Sequence, residues 1–248
     1  MRTLTRTTWL ELKLFAREPL TVIFTLALPV LVLYVLGGVF GDTAVPGDPA
    51  FRGVGAMTYY VPAYVGLVIA SMGLIGLPVH LASYRERGVL RRFRASSMPL
   101  SALLGAQLLV TLVAAALGSV LVVLLAAMTY EVTWPSAPSG VAVAFLLGAM
   151  AFSAFGILLG AVMPTARAAQ GAGLLLWFLM LMIAGAGPPP GVLPDALRSL
   201  AELTPLRHVI IALQDPWLGF GTNLPEILVV CGILLVSSAT ALRFFRWE

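Results

Sequence analysis

Apolar positions in this chain come in long unbroken runs rather than in alternation, and that pattern decides most of the fold. Leu20 to Phe40 holds 21 residues without a charge. At the helical rise of 1.5 Å per residue, such a run matches the ~30 Å of a bilayer core. Similar stretches, bounded by charges or by proline and glycine, follow at 59–83, 100–128, 141–163 and 168–187. A sixth, at 224–243, is uncharged from Ile227 to Leu242, so Glu226 and Arg243 are expected at opposite interfaces. Strands of a membrane barrel would alternate apolar and polar residues over about ten positions, which none of these runs does. In lipid, a continuous apolar run satisfies its backbone as a helix. The pattern predicts an all-α membrane protein with six transmembrane helices in a single transmembrane domain.

Within the spans, Pro29, Pro62 and Pro78 are expected to kink the helices. The GxxxG spacings at Gly37 with Gly41 and at Gly156 with Gly160 would let backbones approach closely, unless they are glycines scattered by chance. Outside the spans the period changes. In residues 1–19, projection at about 100° per residue places Arg2, Arg6, Lys13 and Arg17 within one sector, with Leu4, Trp9, Leu12, Phe15 and Ala16 opposite. This predicts an N-terminal interfacial helix ended by Pro19, although Leu10 and Leu14 break the pattern; the plainer reading is a basic arm that only sets topology.

Residues 188–223 form the longest loop, and it is not uniformly polar. Pro194 or Asp195 can start one short helix and Pro205 another, while Leu206 to Leu213 is too short to cross a bilayer. A re-entrant helix pair fits, because backbone that turns at membrane depth needs protein or a water-lined cavity beside it. A lid lying flat on the membrane surface is the alternative.

Composition closes off the soluble classes. With 60% hydrophobic and 10% charged residues and a mean hydropathy of +0.98, the chain could not cover the surface of a soluble domain. The single cysteine, Cys231, excludes a disulfide within one chain. The first apolar run is long and lacks a small-residue cleavage pattern, so it is expected to remain as a span rather than be removed as a signal peptide.

Charge sets the orientation. Six spans put the N-terminus, the loop at 84–98, the Arg167 loop and the C-terminus on one side, and that side carries twelve of the 15 basic residues. By the positive-inside rule, both termini and the 84–98 loop face the cytoplasm. Arg52, Arg198 and Arg207 share the other side with seven acids. Since the basic residues mark span ends, they indicate bilayer topology and anionic lipid rather than nucleic acid.

Catalytic motifs are missing. The single lysine, Lys13, follows Leu12, so no phosphate-binding loop exists. His80 and His208 belong to no zinc motif, and no GxSxG is present. No acid lies central to a span, which disfavours ion coupling through a buried carboxylate. Five arginines, Arg85, Arg87, Arg91, Arg92 and Arg94, instead crowd into YRERGVLRRFRASSMP, Tyr84 to Pro99. Tyr84 to Arg94 is expected to form about three helical turns, with Val89, Leu90 and Phe93 as an apolar ridge beside the arginines. A polybasic strip on anionic headgroups would account for the charge alone.

The amphipathic residues 1–19, the ERG at 86–88 and TPLRHVIIAL at 204–213 together give the chain, over nearly its whole length, a resemblance to the type-2 class of ABC transporter permeases. That group contains bacterial drug, natural-product and polysaccharide exporters. The resemblance implies that residues 1–19 are the connecting helix. It also implies that Tyr84, Arg85, Glu86, Arg87, Gly88, Val89, Leu90, Arg91 and Phe93 belong to a coupling helix that docks in a groove of a cytoplasmic ATPase subunit. Glu86 and Arg87 would then make charge-assisted contacts, and Val89, Leu90 and Phe93 would fill the groove. Pro205, Leu206, Arg207 and His208 would form the external gate. It further implies a homodimer, or a heterodimer with a similar permease, bound to two ATPase copies in the bacterial cytoplasmic membrane. ATP and magnesium would sit on the ATPase, with no catalytic, metal or cofactor residue in this chain.

Two departures are that no large external domain separates the first two spans and that these 248 residues include no nucleotide-binding domain. The implied cargo is an amphipathic or lipophilic compound, moved by alternating access. Met57, Tyr60, Met72, Phe152, Trp177 and Met180 either line its path or are ordinary helix packing. The rival class is a passive channel or a structural membrane subunit, which needs no buried acid and no ATPase.

Overall fold

The computed structural model describes residue 13 and residues 23–40, 49–95 and 100–244. Described residues outside loops are helical, and none forms a strand. A π-helical turn at Ile23–Ala27 leads into α1 (Leu28–Phe40). Then come α2 (Ala56–Ser71), a second π turn at Met72–Gly76, α3 (Leu77–Glu86) and the short α4 (Val89–Ala95). The rest comprises α5 (Leu100–Thr129), α6 (Pro138–Val162), α7 (Ala166–Ile183), the pair α8 (Asp195–Ala201) and α9 (Pro205–Leu218), and α10 (Leu224–Phe244).

Five of the described helical stretches are long and apolar enough to cross a membrane: Ala56–Glu86, Ala102–Thr129, Pro138–Val162, Ala166–Ile183 and Leu224–Phe244. Thr25–Val39 is a shorter apolar helix. The expected interfacial helix lies outside the described residues except for Lys13, which is exposed. Residues 20–22 of the first expected span and 96–98 of the 84–98 loop also lie outside them.

The centre of the bundle is the continuous helix Ala56–Glu86, 31 residues long. Every residue of α2 is buried. Around it stand α1, α5, α6, α7 and α9, while α10 packs on the far side of α6. The outward faces of α5, α7 and α10 expose Leu117, Met128, Leu175, Phe178, Leu228 and Leu235, the surface a lipid-embedded helix presents.

The two π turns have a sequence cause. A proline ring inside a helix collides with the carbonyl four residues earlier, which here belongs to Thr25 for Pro29 and to Leu74 for Pro78. Both carbonyls lie in the π turns, where the wider winding makes room. At the second turn, the Leu77 N–H bonds to the Met72 carbonyl, five residues back. Pro62, by contrast, sits within the regular α2.

The second π turn is also where three helices meet backbone to backbone. A methyl at Gly156 would run into the Gly73 carbonyl, and one at Gly173 into the Leu74 carbonyl. At Gly160, an added Cβ would lie 3.1 Å from the Pro78 backbone. The Gly156/Gly160 spacing on α6 is thus a true close-approach face. Gly37 is shielded by the Tyr130 side chain, and Gly41 lies outside the described residues. Beside the turn, the Trp177 indole N–H donates to Ser71 Oγ at 2.7 Å, and that hydroxyl donates to the Leu67 carbonyl at 2.8 Å. The polar groups of this dry centre thereby satisfy one another.

Candidate functional site

Two regions at opposite ends of the Ala56–Glu86 helix carry the sequence-expected functional residues. At the Glu86 end, the chain was expected to continue as one helix from Tyr84 to Arg94. Instead α3 stops at Glu86, the Arg87 and Gly88 N–H groups donate to the Ser83 and Arg85 carbonyls at 3.0 Å, and α4 restarts at Val89. Gly88 lies at φ +66°, in the left-handed region where a side chain is costly, and this is the physical reason for the break.

Arg85 and Glu86 turn inward along the chain, onto the α6–α7 junction. The Arg85 guanidinium donates to the Gly160 carbonyl at 3.2 Å, to Ala161 at 2.8 Å, and to Met163. These carbonyls lie at the C-terminal end of α6, where helical acceptors lack intrahelical partners and the helix dipole is negative. Glu86 Oε1 accepts from the Ala166 N–H at 3.2 Å, at the start of α7, where the dipole is positive. Thr165 caps the same helix start, its Oγ1 accepting from the Ala168 N–H at 3.0 Å. Adjacent residues of opposite charge thus clamp two helix ends of opposite polarity.

Leu90 is also turned inward. It is 1% exposed and packs with Leu77, Leu81 and Tyr84 of the preceding helix, Leu103 of α5, Ile157 of α6 and Ala241 of α10. Rather than standing free to fill a partner's groove, it seats α4 on the bundle. Val89 is half-buried beside it, whereas Arg87, Arg91 and Arg92 are exposed. The Phe93 and Arg94 side chains lie outside what the structure describes.

At the Tyr59 end, α8 and α9 start at Asp195 and Pro205, as the loop sequence led one to expect. Leu206, Val209, Ile210 and Leu213 of α9 are buried, packed onto α2 and α6. Gly219, at φ +90°, ends the helix, and the Ser136 and Ala137 N–H groups cap it by donating to the Trp217 and Pro216 carbonyls. The ring of His208 is held between Glu226 Oε2, 2.6 Å from Nδ1, and the Glu202 carbonyl, 2.9 Å from Nε2. Arg207 is half-buried, and Pro205 occupies the first helical position.

Sequence reasoning missed a buried charge network here. Asp215, its side chain 7% exposed, lies 2.7 Å from Arg52 Nη1 in an ionic contact whose N–H is not aligned on the oxygen, and it accepts from Asn223 Nδ2 at 2.6 Å. Asn223 Oδ1 in turn accepts from the Glu226 N–H at 3.2 Å at the start of α10. The Arg52 guanidinium lies over the Phe220 ring, 4.6 Å from its centroid. Gln214 Nε2 donates to the Tyr59 carbonyl at 3.0 Å. The available signal was a lone acid inside the apolar TPLRHVIIALQDPW, facing a lone arginine in the first loop.

The residues considered for a transport path, Met57, Tyr60, Met72, Phe152, Trp177 and Met180, are all buried within the chain, the most accessible at 6%. They are packing residues of the single subunit. Among the described residues, no group of histidine, cysteine or acidic side chains could hold a metal ion.

Residues 2–216 match the model of a family described as ABC-2 type transporter. No curated protein matches the chain.

Proposed function

The chain belongs to the ABC-2 type transporter family and is the membrane permease component of an ABC transporter; from that premise we propose that it exports an amphipathic or lipophilic compound by alternating access, driven by a separate cytoplasmic ATPase. Residues 20–40 supply the first of six spans. Both termini and the α3–α4 turn face the cytoplasm of a bacterial cell, a reading supported by the twelve basic residues on that side. Two permease copies, or one with a similar permease, bind two ATPase subunits. The α8–α9 pair is the re-entrant external gate, and anionic lipid contacts the basic side.

The observation that supports coupling is the build of the α3–α4 turn. Arg87, Arg91 and Arg92 are exposed, on an element that Arg85, Glu86 and Leu90 fasten to α5, α6, α7 and α10. An element meant only to hold headgroup charge needs no such anchorage. The ATPase therefore meets the exposed arginines, with the half-buried Val89 beside them, and force on α4 passes through Arg85 and Glu86 into α6 and α7. Co-purification of the full chain with its ATPase subunit tests this. The double change Arg91→Glu with Arg92→Glu is expected to reduce recovered ATPase at least tenfold while the permease stays folded in the membrane; full recovery of the ATPase would remove the assignment.

A further inference from the structure

A concavity lies between α9, the start of α2 and the segment 184–191. It has a volume of about 210 Å³ and is lined by Arg52, Tyr59, Arg207, Gln214, Ile210 and Ile211, with Pro190 and Gly191 completing the wall. Drug-sized pockets are roughly 300 to 1,000 Å³, so this space fits a headgroup better than a whole drug molecule.

Among the described residues its charge is unbalanced. Arg52 is matched by Asp215 at 2.7 Å. The other described acids of this region are engaged elsewhere or face solvent: Asp195 lies 3.4 Å from Arg198, Glu226 lies 2.6 Å from His208, and Glu202 is exposed. Arg207, half-buried and in the first turn of α9, has no carboxylate partner among the described residues. A guanidinium held partly out of water, with no anion among its described neighbours, offers five donors that suit a phosphate or carboxylate.

Close by, an apolar groove of about 260 Å³ is formed by Leu31, Val32, Val35 and Leu36 of α1 with Leu181 and Gly187. The segment 181–191 contributes to both spaces, since Ala184 and Pro190 line the cationic one and Leu181 and Gly187 the apolar one. One molecule with an anionic head and an alkyl tail would satisfy both.

We propose that this cavity binds the oxyanion head of an amphiphile, phosphate or carboxylate, through Arg207, with Arg52 fixed beside it as a second donor and the tail along the α1 groove. The proposal rests on the export reading and narrows its cargo, or a lipid that accompanies it, to anionic amphiphiles. The test uses the full chain in phosphatidylcholine nanodiscs and compares dodecyl phosphate with uncharged dodecyl maltoside. Saturable binding of dodecyl phosphate is expected at least tenfold tighter than that of the maltoside. Arg207→Gln is expected to abolish that preference, and Ile211→Trp, which fills the cavity and leaves the charge, to weaken dodecyl phosphate binding to a similar degree. Competition by added phosphatidylglycerol would assign the site to a lipid headgroup, and its absence to cargo; either result supports the oxyanion site. Equal affinity for the two detergents, or an unchanged preference in both variants, overturns it. ATPase co-purification from the same preparations reports separately on the export reading, because neither substitution touches the α3–α4 turn.

Discussion

Arg85 and Glu86 show how much a single pair of neighbours can organise. Each was legible as part of a basic, ERG-containing loop, but their partners lie 75 to 80 positions away at the end of α6 and the start of α7. No local spacing encodes such a pairing, since it depends on which helix ends the fold brings under the turn. Replacing Arg85 by Ala leaves three carbonyls at a helix terminus without their cationic donor, a loss of about 2 kcal/mol by the usual worth of hydrogen bonds to charged groups. The expected result is a lower unfolding temperature in nanodiscs and weaker stimulation of the ATPase, with ATPase binding retained. Glu86→Gln, which keeps an acceptor for the Ala166 N–H, should be much milder; equal damage from the two changes would show that the clamp is not what Arg85 supplies. The same limit explains why Asp215 went unnoticed. A carboxylate in an external helix reads as solvated until Arg52 and Asn223 are found beside it.

Elements were more legible than contacts. Five of the six long apolar runs fall on helices long and apolar enough to cross a membrane, because helix formation in lipid follows from continuous hydrophobicity. Their bounds moved where charge was taken as the end of a span. The second run continues through Tyr84, Arg85 and Glu86, since the guanidinium and carboxylate find partners at neighbouring helix ends. The break at Gly88 was written in the sequence as a glycine and was overruled by the apolar ridge drawn through Val89, Leu90 and Phe93. The close-approach face of α6 carries a prediction at this scale. Gly156→Leu would drive a side chain into the Gly73 carbonyl and should cost at least about 1 to 3 kcal/mol, the range for overpacking a filled core. Gly232→Leu on α10, where nothing lies within 4 Å, serves as the control. Folded yield by size-exclusion chromatography should fall sharply for the first and stay near the parent for the second. Similar yields would mean that the helices can separate at little cost.

For the whole molecule, the chain places its two candidate regions at the ends of one buried helix, with Arg85, Arg87, Arg91 and Arg92 at one end and Arg52, Arg198 and Arg207, accompanied by acids, at the other. The charge count leads one to expect twelve of the 15 basic residues on one side, because the membrane sorts lysine and arginine by side. It did not reveal which helix would be central, since the second run is no more apolar to the eye than the others. The orientation is open to labelling. In a Cys231→Ser background, Arg91→Cys should react with a membrane-impermeant maleimide only in inside-out vesicles, and Leu203→Cys, an exposed position of the α8–α9 turn, only in right-side-out ones. Labelling of both from one side would break the six-span topology.

The π turn at Met72–Gly76 has a mechanical corollary. A π turn is an α-helix carrying one supernumerary residue, and in an ideal helix one residue corresponds to about 1.5 Å of advance and about 100° of azimuth. Were that residue absorbed or passed along, the half of the rod bearing Tyr59 would swivel against the half bearing Glu86 without any bond to Arg85 being broken. Gly156 and Gly173, which face this joint, set no side chain of their own against its carbonyls.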